Sequence, residues 1–219
     1  MNIEQLTLYT ANLRGQVDFY NTVLNLAPID KSRFNAVYKI GNTLLNFVAY
    51  PTGGRYHFAI NIPANKAEEA LAWLKPRVAV LKDGSTELIN FKNWNAHSMY
   101  FYDANHNIVE LIARKSLKTG TMEPFSEKQF ISISEIGIGT KNISAVYQTL
   151  NNIKPLPVYW GSMDTFCAAG DEHGLFIISD RNKKKWYPTN DDVTPADFVM
   201  RGDYNIKYNS GKISRITTS

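Results

Sequence analysis

A strand followed by a helix recurs three times in this chain, and this internal repetition constrains its fold more than any other feature. The three segments are Gln5 to Leu26, His57 to Val78 and Glu135 to Ile153. In each segment apolar residues first alternate, as along a strand, and then recur at helical spacing on one face. Two or three strand-like stretches follow each helix. We therefore predict an α+β protein made of repeated units that begin near residues 3, 55 and 132.

The repeats also predict how the chain is divided. The first and third units share a turn, Thr10-Ala11-Asn12-Leu13 and Thr140-Lys141-Asn142-Ile143, at the same distance from the start of the strand. Residues 115–129 contain glycine and proline and few periodic apolar positions, which is typical of a linker. Beyond Pro195 the pattern indicates strands only. We predict a complete module of two units at 1–115, a linker at 116–131 and a degenerate second module at 132–219.

Composition excludes several classes of protein and site. Hydrophobic residues make up 44% and charged residues 20%, with a net charge of +4, as in ordinary globular proteins. The single cysteine, Cys167, excludes an internal disulfide bond and a zinc site built from cysteines. One basic run at 181–186 is typical of a solvated loop and is too little for a nucleic-acid surface. We expect no signal peptide and no membrane span, and hence a cytoplasmic protein without membrane or nucleic-acid partners.

Glu110 is the most unusual polar residue in the sequence. It lies within the apolar run from Ile108 to Ile112, where an ionised carboxylate without a partner would be costly if buried. We therefore expect Glu110 to face solvent or to be held by a metal ion or another cation. Arg55 and Arg114 are candidate partners that would give Glu110 a purely structural role.

Alignment of the units supplies further candidate ligands. The opening strands carry Gln5, His57 and Glu135 at equivalent positions, and the closing strands carry Asn46, Glu110 and Ile178. If the first two units pair, the side chains of Gln5, Asn46, His57 and Glu110 converge on one cleft. One imidazole, one carboxylate and amide oxygens suit a borderline divalent cation that keeps positions open for substrate or water. The third unit has Glu135 and Ile178 at these two positions, with no histidine on the opening strand and no acid on the closing strand, so we expect it not to bind metal.

Two motifs resemble those of the vicinal oxygen chelate superfamily, which includes glyoxalase I, extradiol dioxygenases, fosfomycin-resistance proteins and bleomycin-resistance proteins. FYNTVLNL, from Phe19 to Leu26, is similar to the end of the family's first helix, and YFYDANHNIVE, from Tyr100 to Glu110, is similar to its closing strands. The resemblance is clear over residues 3–114. It is weaker over residues 132–181 and hardly extends to the tail. It implies repeated βαβββ units that form paired curved mixed sheets around a cleft.

The resemblance also implies a function. It places metal ligands at Gln5, His57 and Glu110, gives Glu110 a catalytic role as well, and suggests substrate contacts from Asn46, Tyr100 and Tyr102. Gln5 departs from the two-histidine, one-carboxylate set of iron oxygenases and is similar to a glutamine of glyoxalase I. The implied protein is a small-molecule enzyme that uses Zn, Ni, Mn or Fe, of the glyoxalase isomerase or lyase type rather than a ring-cleaving dioxygenase.

A metal-free alternative stays open at this point. In that alternative the chain binds a small molecule, as bleomycin-resistance proteins do, and Glu110 is the counter-charge of a cationic ligand. The incomplete ligand set at Gln5 and Asn46 favours it, whereas the pairing of His57 with Glu110 favours the metal enzyme. Either arrangement is compatible with a monomer or a homodimer.

Overall fold

The computed structural model describes residues 1–216 and contains the predicted units in the predicted order. The first unit consists of β1 (Ile3–Thr10), α1 (Leu13–Thr22), β2 (Asp30–Lys31), β3 (Asn35–Ile40) and β4 (Thr43–Ala49). The second consists of β5 (His57–Ile62), α2 (Ala67–Leu74), β6 (Val80–Leu81), β7 (Ile89–Phe91), β8 (Ala96–Tyr102) and β9 (Ile108–Arg114). The third consists of β10 (Ser132–Thr140), α3 (Ile143–Ile153), β11 (Val158–Gly161), β12 (Phe166–Asp171) and β13 (Gly174–Asp180). The tail contains β14 (Phe198–Gly202), β15 (Ile206–Asn209) and β16 (Lys212–Arg215).

These strands form two mixed sheets, which confirms the predicted α+β class. The seven-stranded sheet has the order β16-β15-β14-β1-β4-β3-β2. The nine-stranded sheet has the order β11-β12-β13-β10-β5-β9-β8-β6, and β7 also pairs with β8. Within each unit the opening strand runs parallel to the closing strand, as in β1 with β4, β5 with β9 and β10 with β13. The nine-stranded sheet is therefore two units joined through their opening strands, β5 and β10, whereas the seven-stranded sheet joins one unit to the tail through β1 and β14.

The units pair differently from the prediction. The opening strand of the second unit pairs with that of the third, with Ile60 opposite Ile133. The first unit pairs instead with the tail, with Leu6 opposite Met200. The sheets therefore do not follow the predicted division into 1–115 and 132–219. Each opening strand has one edge occupied by its own closing strand and one edge free, and the repeated pattern does not specify which unit fills the free edge.

The region predicted to be a linker packs against the second unit. Two short 3-10 helices, Lys115–Leu117 and Glu127–Gln129, lie at its two ends, and another, Lys92–Trp94, lies between β7 and β8. Phe125 and Phe130 are buried, and their rings lie 5.7 and 6.1 Å from that of Trp73 on α2. This segment thus covers α2 while the chain crosses to the third unit.

Local signals in the repeated turns account for where two helices begin. The side chain of Asn12 accepts a hydrogen bond from the Gly15 backbone at 3.0 Å, and that of Asn142 accepts one from Ala145 at 2.9 Å. Asparagine is a favoured residue at this position because it pairs an otherwise free N–H group of the first turn. The matched turns in the sequence are therefore matched helix caps.

One hydrophobic core spans both sheets and the helices that cover them. The two sheets are also joined by Thr43, whose buried hydroxyl donates to the Ile3 carbonyl at 2.7 Å and accepts from the Ile133 N–H at 3.0 Å. Within residues 1–216, the helices are all too short or too polar to cross a membrane.

Candidate metal centre

Three buried side chains from adjacent strands of the nine-stranded sheet meet on one face. The Nε2 atom of His57 lies 3.6 Å from Oε2 of Glu110 and 3.6 Å from Oε2 of Glu135. These residues come from β5, β9 and β10, and each is less than a tenth exposed. One donor atom from each lies within 4.8 Å of the others. We call this set the His-Glu-Glu cluster.

Strand register explains why the cluster forms. Ala59 on β5 is the partner of Glu110 on the parallel strand β9 and of Glu135 on the antiparallel strand β10. Alternate residues of a strand point to the same face, so His57 shares a face with Ala59. The small side chain of Ala59 leaves room for the two glutamates that flank it. The junction between the second and third units therefore builds the cluster.

A buried arginine is the fourth charged member of this region. The Nη2 group of Arg114 forms an ion pair with Oε1 of Glu135, and its Nε group donates to Oδ1 of Asn61 at 3.2 Å. The side chain is fully buried, and its guanidinium carbon lies 5.5 Å from the ring centre of Trp94. Arg114 therefore compensates the charge of Glu135 and leaves that of Glu110 without an equally close cation.

This imbalance is reflected in the acidity of Glu110. Burial raises its pKa to about 7, and the nearby carboxylate of Glu135 adds to the rise, while His57 opposes it. Burial, followed by the negative charge of Glu110, likewise raises the pKa of the Tyr100 hydroxyl, which lies on the directly opposite residue of β8. The cluster thus requires a proton or a further cation to be electrically balanced.

The ring of His57 is held by stacking. Its centre lies 5.5 Å from that of Trp186 and 6.3 Å from that of Tyr100, with interplanar angles of 32° and 29°. Among residues 1–216, no hydrogen-bond partner is present for its buried Nδ1 atom. Packing between two aromatic side chains therefore sets the orientation that directs Nε2 toward the glutamates.

A cavity of about 290 Å³ opens above the cluster. We call residues 181–197 the strap, because they follow β13 and return across this face of the sheet. Trp186 of the strap is buried although its lysine neighbours are exposed. It fits over Gly137 of β10, where an added Cβ would lie 2.7 Å from the tryptophan ring. The absence of a side chain at Gly137 thus allows Trp186 to cover His57.

The sequence identified part of this site. His57 and Glu110 lie together as predicted, and Tyr100 lines the cavity. Tyr102 is on the same strand as Tyr100, but its hydroxyl donates to Asp191 of the strap at 2.7 Å. Arg114, a candidate partner of Glu110 in the purely structural interpretation, forms its ion pair with Glu135.

Two predicted site residues lie in the other sheet. Gln5 is on β1, where its amide donates to the Thr7 hydroxyl at 3.4 Å, and Asn46 is on β4 beside Thr7. Contrary to expectation, the third unit contributes Glu135 to the cluster. The signal for Glu135 was present, because it aligns with Gln5 and His57, but finding it required the correct pairing of units.

The donor set fits a divalent cation. A separation of 3.6 Å is too long for a direct hydrogen bond. Two donors bound about 2.1 Å from one ion at a tetrahedral angle are about 3.4 Å apart, close to the separations found here. One imidazole and two carboxylates are ligands that borderline cations such as zinc and manganese accept.

Comparison with known proteins supports the fold. The chain matches no protein-family profile, and no curated protein is significantly similar to it in sequence. Glyoxalase I from Zea mays, as a V278E variant, has a TM-score of 0.58 at 13% identity, over 91% of this chain and 73% of the maize chain. A Bacillus subtilis protein with a provisional dioxygenase assignment has a TM-score of 0.59 at 15% identity, over 82% of this chain and 63% of the other.

This chain thus spans less than two thirds of the Bacillus protein. A second structure of maize glyoxalase I, without that substitution, has a TM-score of 0.53 at 13% identity, over 81% of this chain and 66% of its own. At these identities the likeness concerns the fold, and it agrees with the repeated units and the motifs at Phe19–Leu26 and Tyr100–Glu110. The chain thus has the fold of the maize glyoxalase I structures, which agrees with the fold that the resemblance implies.

Proposed function

We propose that this chain is a divalent-metal-dependent enzyme acting on a small molecule, with His57, Glu110 and Glu135 as the metal ligands. The observation that carries the proposal is the convergence of two buried carboxylates on one imidazole with a single buried arginine to balance them. Buried charges are retained when they are paired or when they coordinate a metal. A divalent ion supplies the missing positive charge.

The ligand set favours proton-transfer chemistry over oxygen chemistry. Non-haem iron oxygenases use two histidines and one carboxylate, whereas this cluster has one histidine and two carboxylates. A bound divalent ion would act as a Lewis acid on a substrate oxygen. An isomerase or lyase of the glyoxalase type suits this set better than a ring-cleaving dioxygenase, and maize glyoxalase I shares the fold.

Glu110 is the residue we assign to proton transfer. In the metal-free protein burial and the carboxylate of Glu135 raise its pKa to about 7. A buried carboxylate that lines the cavity is placed to take a proton from a substrate. Tyr100 lies opposite Glu110 on the neighbouring strand and lines the cavity, so it is placed to contact the same substrate. Trp186 covers His57 and limits the access of water.

A metal-free binding protein is the second candidate, and one observation favours it. Arg114 already occupies one oxygen of Glu135, so part of the charge that would attract a cation is neutralised within the protein. In that case the cavity binds a ligand through its aromatic walls, and a proton on Glu110, whose pKa is raised by burial, lowers the negative charge of the cluster.

Elemental analysis of protein purified without a histidine tag separates these candidates. We expect close to one divalent ion per chain in the wild type and in Gln5→Ala, and little in His57→Ala and Glu135→Gln. Loss of metal in Gln5→Ala together with retention in Glu135→Gln would favour the ligand set implied by the family motifs. Empty preparations of all four proteins, with no rise in melting temperature on addition of Zn²⁺, Mn²⁺ or Ni²⁺, would refute metal binding, since a ligand of the folded state must raise its stability.

A further inference from the structure

The walls of the cavity above the His-Glu-Glu cluster are mainly aromatic. Besides the rings that stack on His57, the lining includes side chains from the β7–β8 region, from β11 and β12, and from the strap: Phe91, Trp94, Trp160, Phe166 and Tyr187. At about 290 Å³ the space lies at the small end of ligand pockets, which range from about 300 to 1,000 Å³. Such a site accepts a compact ligand with one or two rings.

The orientation of these rings favours a flat ligand. Trp186, His57 and Tyr100 lie side by side along the cavity, with the His57 ring inclined by 32° to that of Trp186 and by 29° to that of Tyr100. Tyr187 stands edge-on to Tyr100, at 84°, and Phe91 is turned by 70° from Tyr187. An aromatic ligand in this space is surrounded by rings at several inclinations, and both offset-stacked and edge-to-face contacts with such rings are favourable.

The strap adds a positive charge to the cavity. Lys184 and Lys185 both line it, but Lys185 is paired with Asp192. The neighbouring Lys183 is paired with Asp164. Within the described part of the chain Lys184 forms no ion pair, and its ammonium group lies 5.6 Å from the ring centre of Phe166. A negative group at the outer end of a ligand would therefore meet a lysine whose charge is not already compensated.

We infer that the substrate of this site is a flat aromatic anion, whose ring lies between the aromatic walls and whose negative group pairs with Lys184. The inference rests on the proposed function, since the oxygens to be activated lie at the ring's inner end, next to the cluster. Arg114 and a bound divalent ion offset the two carboxylates there, so the base of the cavity does not repel such a ligand. Lys184 is in this account a specificity residue.

Quenching of tryptophan fluorescence tests the inference, because Trp94, Trp160 and Trp186 line the cavity. The probes are 2-naphthoate, its neutral counterpart 2-naphthamide, and trimethyl(2-naphthyl)ammonium. We expect the wild type to bind naphthoate about fivefold more tightly than naphthamide, the scale of one partly exposed ion pair. Lys184→Met should remove this preference, and Lys183→Met, outside the cavity, should retain it.

Each titration is done on protein treated with a chelator and again after addition of Zn²⁺ or Mn²⁺, so that the two proposals can fail separately. A preference for naphthoate that depends on Lys184 supports the inference even if neither metal binds and the proposed function fails. Equal binding of naphthoate and naphthamide, tighter binding of the ammonium probe, or an unchanged preference in Lys184→Met would overturn it. Each of these results leaves the metal ligands unaffected.

Discussion

Arg114 is the residue on which the electrostatics of the cluster depend. Its guanidinium group is fully buried, where it pairs with Glu135, donates to Asn61 and lies near the face of the partly exposed Trp94. Sequence pattern identified it as a possible partner of Glu110 but not of Glu135. Arg114 meets Glu135 because β10 pairs with β5. Local sequence patterns carry no information about such a long-range pairing.

Removal of Arg114 should be strongly destabilising in metal-free protein. Arg114→Met leaves the Glu135 carboxylate buried without a cation, and breaking a buried pair in this way costs about 3–5 kcal/mol. The free energy of unfolding in urea measures the loss. The exposed Arg14→Met is the control, since that side chain is 94% exposed. Addition of Glu135→Gln to Arg114→Met should restore part of the stability, and a loss below about 1 kcal/mol in the single variant would contradict this account.

Glu110 should make the stability of the metal-free protein depend on pH. Its pKa of about 7 in the folded state exceeds the ordinary value of 4.5, so the folded protein binds this proton more tightly than the unfolded chain does. The stabilising contribution is complete below about pH 4.5 and is lost as the pH rises through about 7. At about 1.4 kcal/mol per pKa unit, the loss is up to about 3 kcal/mol.

Urea unfolding at a series of pH values in the presence of a chelator measures this dependence. Glu110→Gln has no titrating proton at this position, so its stability should fall less between about pH 5 and pH 8 than that of the wild type. Parallel profiles for the two proteins would show that Glu110 does not titrate in this range.

The contact between the strap and β10 determines how Trp186 covers the cluster. Trp186 lies over His57 because Gly137 leaves space for its ring. The sequence predicted only a solvated loop for residues 181–186, since a run of lysines dominates its composition. The exposure of those lysines agrees with that prediction, whereas the burial of Trp186 depends on a glycine 49 positions earlier in the chain.

Gly137→Ala should displace Trp186. The added Cβ would lie 2.7 Å from a rigid ring, so the ring or the strand must move, at a cost of about 1–3 kcal/mol. A red shift of tryptophan emission and a lower melting temperature are the expected readouts. Gly120→Ala is the control, because there the nearest atom to a new Cβ is 3.4 Å away. Unchanged emission in Gly137→Ala would show that Trp186 is not held by this contact.

Short-range features of the elements were predictable from sequence. The Asn12 and Asn142 turns identified two helix starts, because capping depends on residues within one turn of each other. The alternation along β1, β5 and β10 identified three opening strands for the same reason.

The pairing of units within the two sheets decides which residues meet at the site. The second unit pairs with the third and the first with the tail, and this places Glu135 rather than Gln5 beside His57. The repeats are equivalent in pattern, so pairing the first unit with the second satisfied the sequence equally well. Two of the three cluster residues, His57 and Glu110, were therefore predicted from the sequence, whereas the role of Glu135 required the tertiary structure.

The two sheets should unfold together, because Thr43 and a common core join them. Thr43→Val leaves the Ile3 carbonyl and the Ile133 N–H without their partner, which costs about 1–3 kcal/mol. All four tryptophans lie in or after the second unit, so their fluorescence reports on the far side of the molecule. We expect the fluorescence and circular-dichroism midpoints to fall together, with exposed Thr22→Val as the control. A fluorescence midpoint that does not move would indicate independent sheets.

Anomalous diffraction from crystals soaked in Mn²⁺ or Zn²⁺ tests whether the second and third units jointly hold a metal ion. We predict one strong anomalous peak about 2.0–2.2 Å from Nε2 of His57 and from carboxylate oxygens of Glu110 and Glu135. The peak should be absent from Glu135→Gln crystals soaked in the same way. A peak at Gln5 or Asn46, or no peak at the cluster in wild-type crystals, would contradict the account.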